Sequence, residues 1–297
     1  MKIRATGIDI EVEDTGSGEG GERPVVLLIM GLGMQLVAWP ADLVQALVDA
    51  GFRVIRHDNR DIGLSQHFDQ KGVPNMVAAM LRFKLGLAIE APYSLQDMAA
   101  DSVGVLDALG VKKAHVVGAS MGGMIAQRVA LAAPDRVASL TSIMSSSGAR
   151  GLPSARPQVL RAMFRRPAST ARADIVAHYL NLYKAIGSPG FPITEAEMVE
   201  RILQGVERNF HPSGTMRQLV AIAADNKRAA ALALVNRPTL VLHGRADPLI
   251  PFPCGEDTAR RIPGARLVGI DGMGHDLPPG VVERLLAPML PFLQTHS

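Results

Sequence analysis

One serine stands in a context in which its hydroxyl could act as a nucleophile. Ser120 lies between Gly118 and Gly122, directly after the apolar run 114–117 and before a stretch with helical apolar spacing. Two glycines around a serine also occur by chance, and the alternative is a glycine-rich turn with an idle serine. A strand that turns sharply into a helix would nevertheless expose this hydroxyl at the carboxyl end of a sheet, beside backbone N–H groups that stabilise negative charge.

A serine hydroxyl needs a base that removes its proton. The best candidate is His275, between Gly274 and Asp276, because it follows the last predicted strand in a glycine-containing loop that can double back over the sheet. Of the other seven histidines, four lie in no supporting motif. The remaining three lie within or at the ends of predicted strands and are interpreted as structural: His57, His115 and His243.

The base in turn needs an acid that fixes its tautomer and stabilises its charged form. Asp247 follows a buried apolar strand and precedes Pro248. Aspartate before proline is also common in ordinary turns, and this alternative stays open. The other strand end at which such an acid could stand, 145–148, reads Ser-Ser-Ser-Gly and offers none.

From about residue 24 onwards these features resemble the α/β-hydrolase family, in which the triad follows the order serine, acid, histidine. The resemblance implies an α/β fold, with a mostly parallel central sheet, helices on both faces and a helical cap insertion. It also implies a serine carboxylesterase that uses no metal or organic cofactor, with oxyanion donors from the backbone of Leu32 and Met121. The chain has Met30-Gly31 where the family usually has His-Gly, a difference that leaves the Leu32 N–H in place.

Within the family, three features resemble bacterial polyketide methylesterases of the aclacinomycin type: Met30-Gly31, Trp39-Pro40 and Arg56-x-Asp58-x-Arg60-Asp61. This implies a bulky hydrophobic ester, with methyl esters among the candidates. A C–C bond hydrolase, a lactonase or a perhydrolase would use the same triad and stays an alternative.

Other residues near the predicted turn are assigned as follows. Gly31, Met34 and Trp39 are predicted to bind substrate, although plain core packing would equally explain Met34 and Trp39. Asp58 and Arg60 are predicted to brace their loop beside the oxyanion site.

Strands that alternate with helices predict a parallel sheet with right-handed crossovers. This pattern covers 1–145 and 238–297, which are predicted to form the hydrolase core. The intervening segment 146–237 has helical spacing and is predicted to be the cap, with helices near 159–165, 174–186, 195–209 and 214–234. The N-terminus is predicted to form a hairpin over 3–14, followed by a glycine-rich turn over 15–23.

The composition constrains the partners. A net charge of +3 over 297 residues gives no indication of nucleic-acid binding. The resemblance to the hydrolases implies a small-molecule partner, a hydrophobic ester. Six arginines between Arg150 and Arg172, without any acidic residue, predict a solvated face of the insertion; a site for anionic substrates or membrane headgroups is the alternative. Gly31-x-Gly33 lacks the third glycine of a dinucleotide fingerprint.

The cellular setting is indicated only indirectly. The single cysteine, Cys254, excludes an internal disulfide and a cysteine metal cluster. No N-terminal signal and no apolar run long enough to span a bilayer is visible, so a cytoplasmic location is expected. The sequence does not indicate an oligomeric state.

Overall fold

The computed structural model describes residues 1–16 and 23–297, and these form a central eight-stranded sheet flanked by helices. The sheet order is β1-β2-β4-β3-β5-β6-β7-β8; β2 pairs antiparallel with both β1 and β4, and all other neighbouring strands pair parallel. The strands are β1 (Lys2–Ala5), β2 (Ile8–Asp14), β3 (Val25–Ile29), β4 (Arg53–His57), β5 (Ala114–Ala119), β6 (Val137–Ile143), β7 (Thr239–Gly244) and β8 (Arg266–Ile270).

Helices cover both faces of this sheet. Every residue of β3 and β5 is buried, as expected for parallel strands covered on both sides. The helices are α1 (Ala41–Asp49), α2 (Met76–Leu85), α3 (Leu95–Ala108), α4 (Met121–Ala132), α5 (Pro157–Phe164), α6 (Arg172–Ile186), α7 (Glu195–Arg208), α8 (Pro212–Ala224), α9 (Arg228–Ala231), α10 (Phe252–Arg261) and α11 (Pro279–Thr295).

Two hydrophobic clusters lie on opposite faces of the sheet. One contains residues of α3 and α4, and the other contains residues of α1 and α11. Helix α3 begins with a capping box: the Ser94 side chain accepts a hydrogen bond from the Asp97 N–H, and the Asp97 carboxylate accepts one from the Ser94 N–H. The predicted mostly parallel central sheet with helices on both faces is confirmed.

The structure differs from the sequence prediction in two elements. The single helix predicted over 214–234 is wrong, because α8 ends at Ala224 and a separate short helix, α9, begins at Arg228. Helix α2 was not predicted at all. The N-terminal hairpin is confirmed, whereas most of the predicted glycine-rich turn, residues 17–22, lies outside the described residues.

Helices α5 to α9 all lie between β6 and β7, in the segment predicted as a cap. This segment, residues 146–237, is called the insertion below. In the described part of the chain, no helix combines the length and apolar character that crossing a membrane requires.

Candidate active site

Ser120 lies at the sharp bend between β5 and α4. Its backbone has φ 56° and ψ −119°, a left-handed conformation that costs a non-glycine residue about 1–3 kcal/mol. The glycines around it permit this bend. A methyl group on Gly118 would lie 2.1 Å from the Gly122 carbonyl oxygen, and one on Gly122 would lie 1.9 Å from the Ile29 carbonyl oxygen. Side chains at either position would therefore prevent the close approach of α4 to the sheet.

The structure brings Ser120, His275 and Asp247 together. His275 Nε2 lies 2.9 Å from Ser120 Oγ, and His275 Nδ1 lies 2.7 Å from Asp247 Oδ2. A carboxylate can only accept a hydrogen bond, so the proton belongs on Nδ1, and Nε2 is left to accept the serine proton. His275 and Asp247 are 8% and 4% exposed, so the relay is largely shielded from water.

The Asp247 carboxylate is itself fixed by its own loop. Its Oδ1 accepts hydrogen bonds from the N–H groups of Leu249 and Ile250, both at 2.8 Å. This leaves Oδ2 directed at the imidazole of His275. The turn geometry expected of an aspartate before proline is therefore present, and it also orients the carboxylate.

The three histidines interpreted as structural lie in packed surroundings. His57 contacts Ser102 Oγ, His115 contacts Ser139 Oγ, and His243 donates to the Ile250 carbonyl at 2.7 Å. Burial lowers the pKa of all three, and that of His115 to about 4. Each is thus held neutral, in keeping with a structural role.

Two backbone N–H groups in the segments that adjoin the serine have no hydrogen-bond partner among the described residues. One belongs to Met121, the first residue of α4, and the other to Leu32, in the loop after β3. The neighbouring Gly31 lies close to the nucleophile, since a methyl group on it would be 3.6 Å from Ser120 Oγ. Unpaired N–H groups at such a position can stabilise an oxyanion.

The side chains of the other two residues predicted to bind substrate have different surroundings. Met34 is half-buried, and its sulfur accepts a hydrogen bond from the Tyr183 hydroxyl of the insertion at 3.7 Å. Trp39 is 1% exposed and belongs to the hydrophobic cluster that also contains Leu43 and Leu47. Contact of either with substrate stays a prediction.

Asp58 and Arg60 brace the loop as the sequence indicates. Asp58 is fully buried, and its carboxylate accepts hydrogen bonds from the N–H groups of Leu36 and Leu64, at 2.7 and 2.9 Å. Arg60 makes a bidentate ion pair with Asp101, at 2.6 and 2.8 Å. The predicted bracing role of both is confirmed.

Sequence reasoning missed a set of contacts through which the insertion holds residues 31–36, the predicted oxyanion loop. Gln218, a fully buried residue of α8, accepts a hydrogen bond from Gly33 N–H at 3.0 Å and donates one to the Arg60 carbonyl at 2.9 Å. Gln35 donates to the carbonyl groups of Gly205 and Asn209, at 2.7 and 2.6 Å. The loop that carries Leu32 is thus anchored on its far side by α7 and α8.

The insertion also contacts the histidine loop. The backbone N–H of His275 donates to the Ile186 carbonyl at 2.8 Å, and that of Gly274 donates to Ser188 Oγ at the same distance. Ser188 Oγ in turn donates to the Asp276 carboxylate. Both loops that border Ser120 are therefore held by residues of the insertion.

One cluster of metal-ligand types lies elsewhere. His67, Asp69 and His211 bring potential ligand atoms within 4.8 Å of one another. A guanidinium already supplies positive charge there, because Arg217 Nη2 lies 3.0 Å from Asp69 Oδ1 and 3.1 Å from His211 Nε2. The cluster is better described as part of an arginine-centred network.

Arg217 also ties the insertion to the loop after β4. It is fully buried and makes a bidentate ion pair with Asp61, at 2.7 and 2.8 Å. Burial alone would raise the pKa of the Asp61 carboxyl, but the hydrogen bonds from Arg217 and from Phe68 N–H outweigh it, and this pKa lies below its ordinary value. The carboxylate is therefore the stable form, as the buried pair requires.

The fold and the sharp bend at Ser120 identify the class of protein to which the chain belongs. The chain belongs to the α/β-hydrolase fold family, whose sequence profile matches residues 24–278. It is 31% identical to rhodomycin D methylesterase DnrP of Streptomyces peucetius, over 95% of this chain and 94% of that protein. It is 26% identical to a 2-hydroxy-6-oxononadienedioate/2-hydroxy-6-oxononatrienedioate hydrolase of a Pseudomonas species, over 90% of this chain and 85% of that protein.

The fold is shared with solved structures. An esterase from Exiguobacterium antarcticum superposes with a TM-score of 0.71 at 22% identity, covering 99% of this chain and 98% of that one. The family predicted from the sequence, and the resemblance to the methylesterases, are confirmed.

Proposed function

We propose that this protein is a serine carboxylesterase in which Ser120, His275 and Asp247 form the catalytic triad. The observation that carries this proposal is the continuous hydrogen-bonded relay from Ser120 Oγ through both imidazole nitrogens to Asp247 Oδ2. The strained backbone of Ser120 supports it, because such strain is retained where surrounding structure and function maintain it. The similarity to a methylesterase over almost the full chain favours an ester as the substrate.

The mechanism follows from these distances. Ser120 Oγ attacks the ester carbonyl carbon while His275 Nε2 takes its proton, and the carbonyl oxygen becomes an oxyanion beside the Leu32 and Met121 N–H groups. His275 then protonates the leaving alkoxide, so the alcohol departs and an acyl-enzyme remains. Water, deprotonated by the same nitrogen, attacks the acyl carbon, and the acid is released as Ser120 regains its proton.

The substrate is proposed to be a hydrophobic ester of a bulky acid. The similarity to rhodomycin D methylesterase favours a small alcohol, such as methanol, on a large acyl group. We also propose that the insertion acts as a cap, because residues of α7 and α8 and the segment after α6 border the loops on either side of Ser120.

Turnover of an ester panel, combined with covalent labelling, tests the proposal. Methyl esters of increasing acyl size should be hydrolysed, and a fluorophosphonate probe should modify Ser120, as identified by peptide mass spectrometry. A lactone and a vinylogous diketone belong in the same panel, because the alternative reactions use the same triad. Exclusive turnover of either compound, or labelling at another residue, would contradict the carboxylesterase assignment.

Gln218 is expected to position the oxyanion loop, although it touches no reacting atom. In Gln218→Met, a side chain of similar length no longer accepts from Gly33 N–H, so the loop that carries Leu32 loses its anchor in α8. We expect kcat to fall by about 10- to 100-fold with little change in KM, because the oxyanion exists only in the transition state. Affinity for a trifluoromethyl ketone, which mimics that state, should fall by the same factor.

Gln127→Met is the matched control. Gln127 is another fully buried glutamine, but its amide contacts Ser142, Ser146 and Arg228 rather than the oxyanion loop. Gln127→Met should lower the melting temperature, and it should not lower kcat selectively while KM stays unchanged. Equal kinetic effects of the two variants would contradict a positioning role for Gln218.

A further inference from the structure

Helix α2 presents an unusual apolar surface to solvent. Of its ten residues only Ala79 is buried. The exposed large apolar residues in and around the helix are Val73, Val77, Met80, Leu81, Phe83, Leu85 and Leu87, with Val77 80% and Phe83 57% exposed. A surface helix normally turns its apolar residues to the core, and contiguous exposed apolar residues mark interaction sites.

Helix α5 adds a second exposed apolar pair. Leu160 and Phe164 lie one turn apart and therefore on the same side of the helix. Within the described residues, segments 73–87 and 160–164 hold nine of the twelve exposed large hydrophobic side chains. The exposure is thus concentrated in two segments, and scattered single residues do not account for it.

Both segments lie within longer basic stretches that contain no acidic residue. Neither 70–89 nor 137–173 contains an aspartate or glutamate. The exposed cations of these stretches that make no ion pair within the described chain are Lys71, Arg82, Lys84, Arg150, Arg156, Arg161, Arg165 and Arg166, whereas Arg172 pairs with Glu207. The Arg150 guanidinium lies against Gly86, at the C-terminal end of α2, so the arginine-rich segment begins beside the apolar helix.

We propose that α2 and the arginines of 150–166 form a surface that docks on an anionic phospholipid bilayer. Ten helical residues extend about 15 Å, too short to cross a bilayer but suited to lying in its interface. The exposed apolar side chains would enter the acyl boundary, while the cations would contact lipid phosphates. A second copy of the chain fits this surface poorly, because a symmetric contact would bring its own unpaired cations together.

Vesicle flotation tests the proposal directly. The full chain should float with vesicles of phosphatidylcholine and phosphatidylglycerol at a 3:1 ratio, and should not float with phosphatidylcholine alone. Binding should weaken at high salt, because the attraction of the cations is screened. Removing three charges with Arg161→Gln, Arg165→Gln and Arg166→Gln should lower partitioning by about 100-fold, at roughly fivefold per cation. Leu81→Gln combined with Phe83→Gln should also abolish flotation.

Matched variants separate docking from general effects. Lys112→Gln, Lys113→Gln and Lys227→Gln remove three exposed charges elsewhere, and Leu234→Gln replaces an apolar side chain that is 77% exposed outside both segments. These variants should float like the parent, and all variants should melt normally. Equal binding to neutral vesicles, no binding to either kind, or a dimer that Leu81→Gln dissociates would each overturn the proposal.

Discussion

Ser120→Ala is expected to lower kcat for ester hydrolysis by about 10⁶-fold while the fold remains intact. Alanine removes the only atom that the relay activates, because His275 Nε2 has no other partner among the described side chains. The backbone N–H of residue 120 still donates to the Ile143 carbonyl, so the bend is preserved. Initial rates on p-nitrophenyl butyrate, together with thermal unfolding, measure the two effects separately.

Ser142→Ala provides the control for Ser120→Ala. Ser142 is a buried serine on β6, paired in register with Gly118 of β5, and Gln127 is the only hydrogen-bond partner of its hydroxyl among the described residues. The Ser142→Ala variant should keep kcat within a few-fold of the parent value. A Ser120→Ala variant that retained more than a tenth of the parent activity would show that another group is the nucleophile.

Much of the fold was predictable because its signals are local. The buried apolar run 114–117, the glycines around Ser120 and the helical spacing that follows specify a strand, a bend and a helix within about twenty residues. The acid and the base could be located because each follows a predicted strand, and the carboxyl ends of parallel strands meet at one edge of a sheet. Asp247 and His275 are consequently found together near Ser120.

Helix α2 was overlooked although its end signals are present. The Asn75 side chain caps the first turn by accepting from Ala78 N–H, and Gly86 ends the helix with φ 71°. The segment lacks the narrow apolar stripe by which a surface helix is recognised, because its large apolar residues spread over a broad side of the helix with Lys84 among them. The apolar residues that made the helix hard to recognise in the sequence are the same residues that indicate a docking surface.

The contacts of the insertion could not be predicted from local patterns. Gln218 lies 185 residues from Gly33, and Arg217 lies 156 residues from Asp61. In the sequence both are polar residues within a helical stretch, where exposure to solvent is the ordinary expectation. Their burial depends on how α8 docks against the loops after β3 and β4, which is a property of tertiary packing.

Asp247→Asn is expected to lower kcat by about 10⁴-fold with little change in KM. The asparagine oxygen can replace Oδ1 and keep the hydrogen bonds from Leu249 and Ile250 N–H, so the loop should hold its shape. The amide nitrogen then occupies the place of Oδ2 and donates to His275 Nδ1. The proton of the imidazole is thereby moved to Nε2, which can no longer accept from Ser120.

A matched substitution distinguishes this tautomer effect from a loss of stability. Asp257, in α10, is as buried as Asp247, and its carboxylate contacts Ser147, Arg260 and Arg261, away from the relay. Asp257→Asn should therefore lower the melting temperature and leave kcat nearly unchanged. Asp247→Asn should lower kcat and leave the melting temperature nearly unchanged. If Asp247→Asn cost less than tenfold in kcat, another group would have to orient His275, and the relay as described would be wrong.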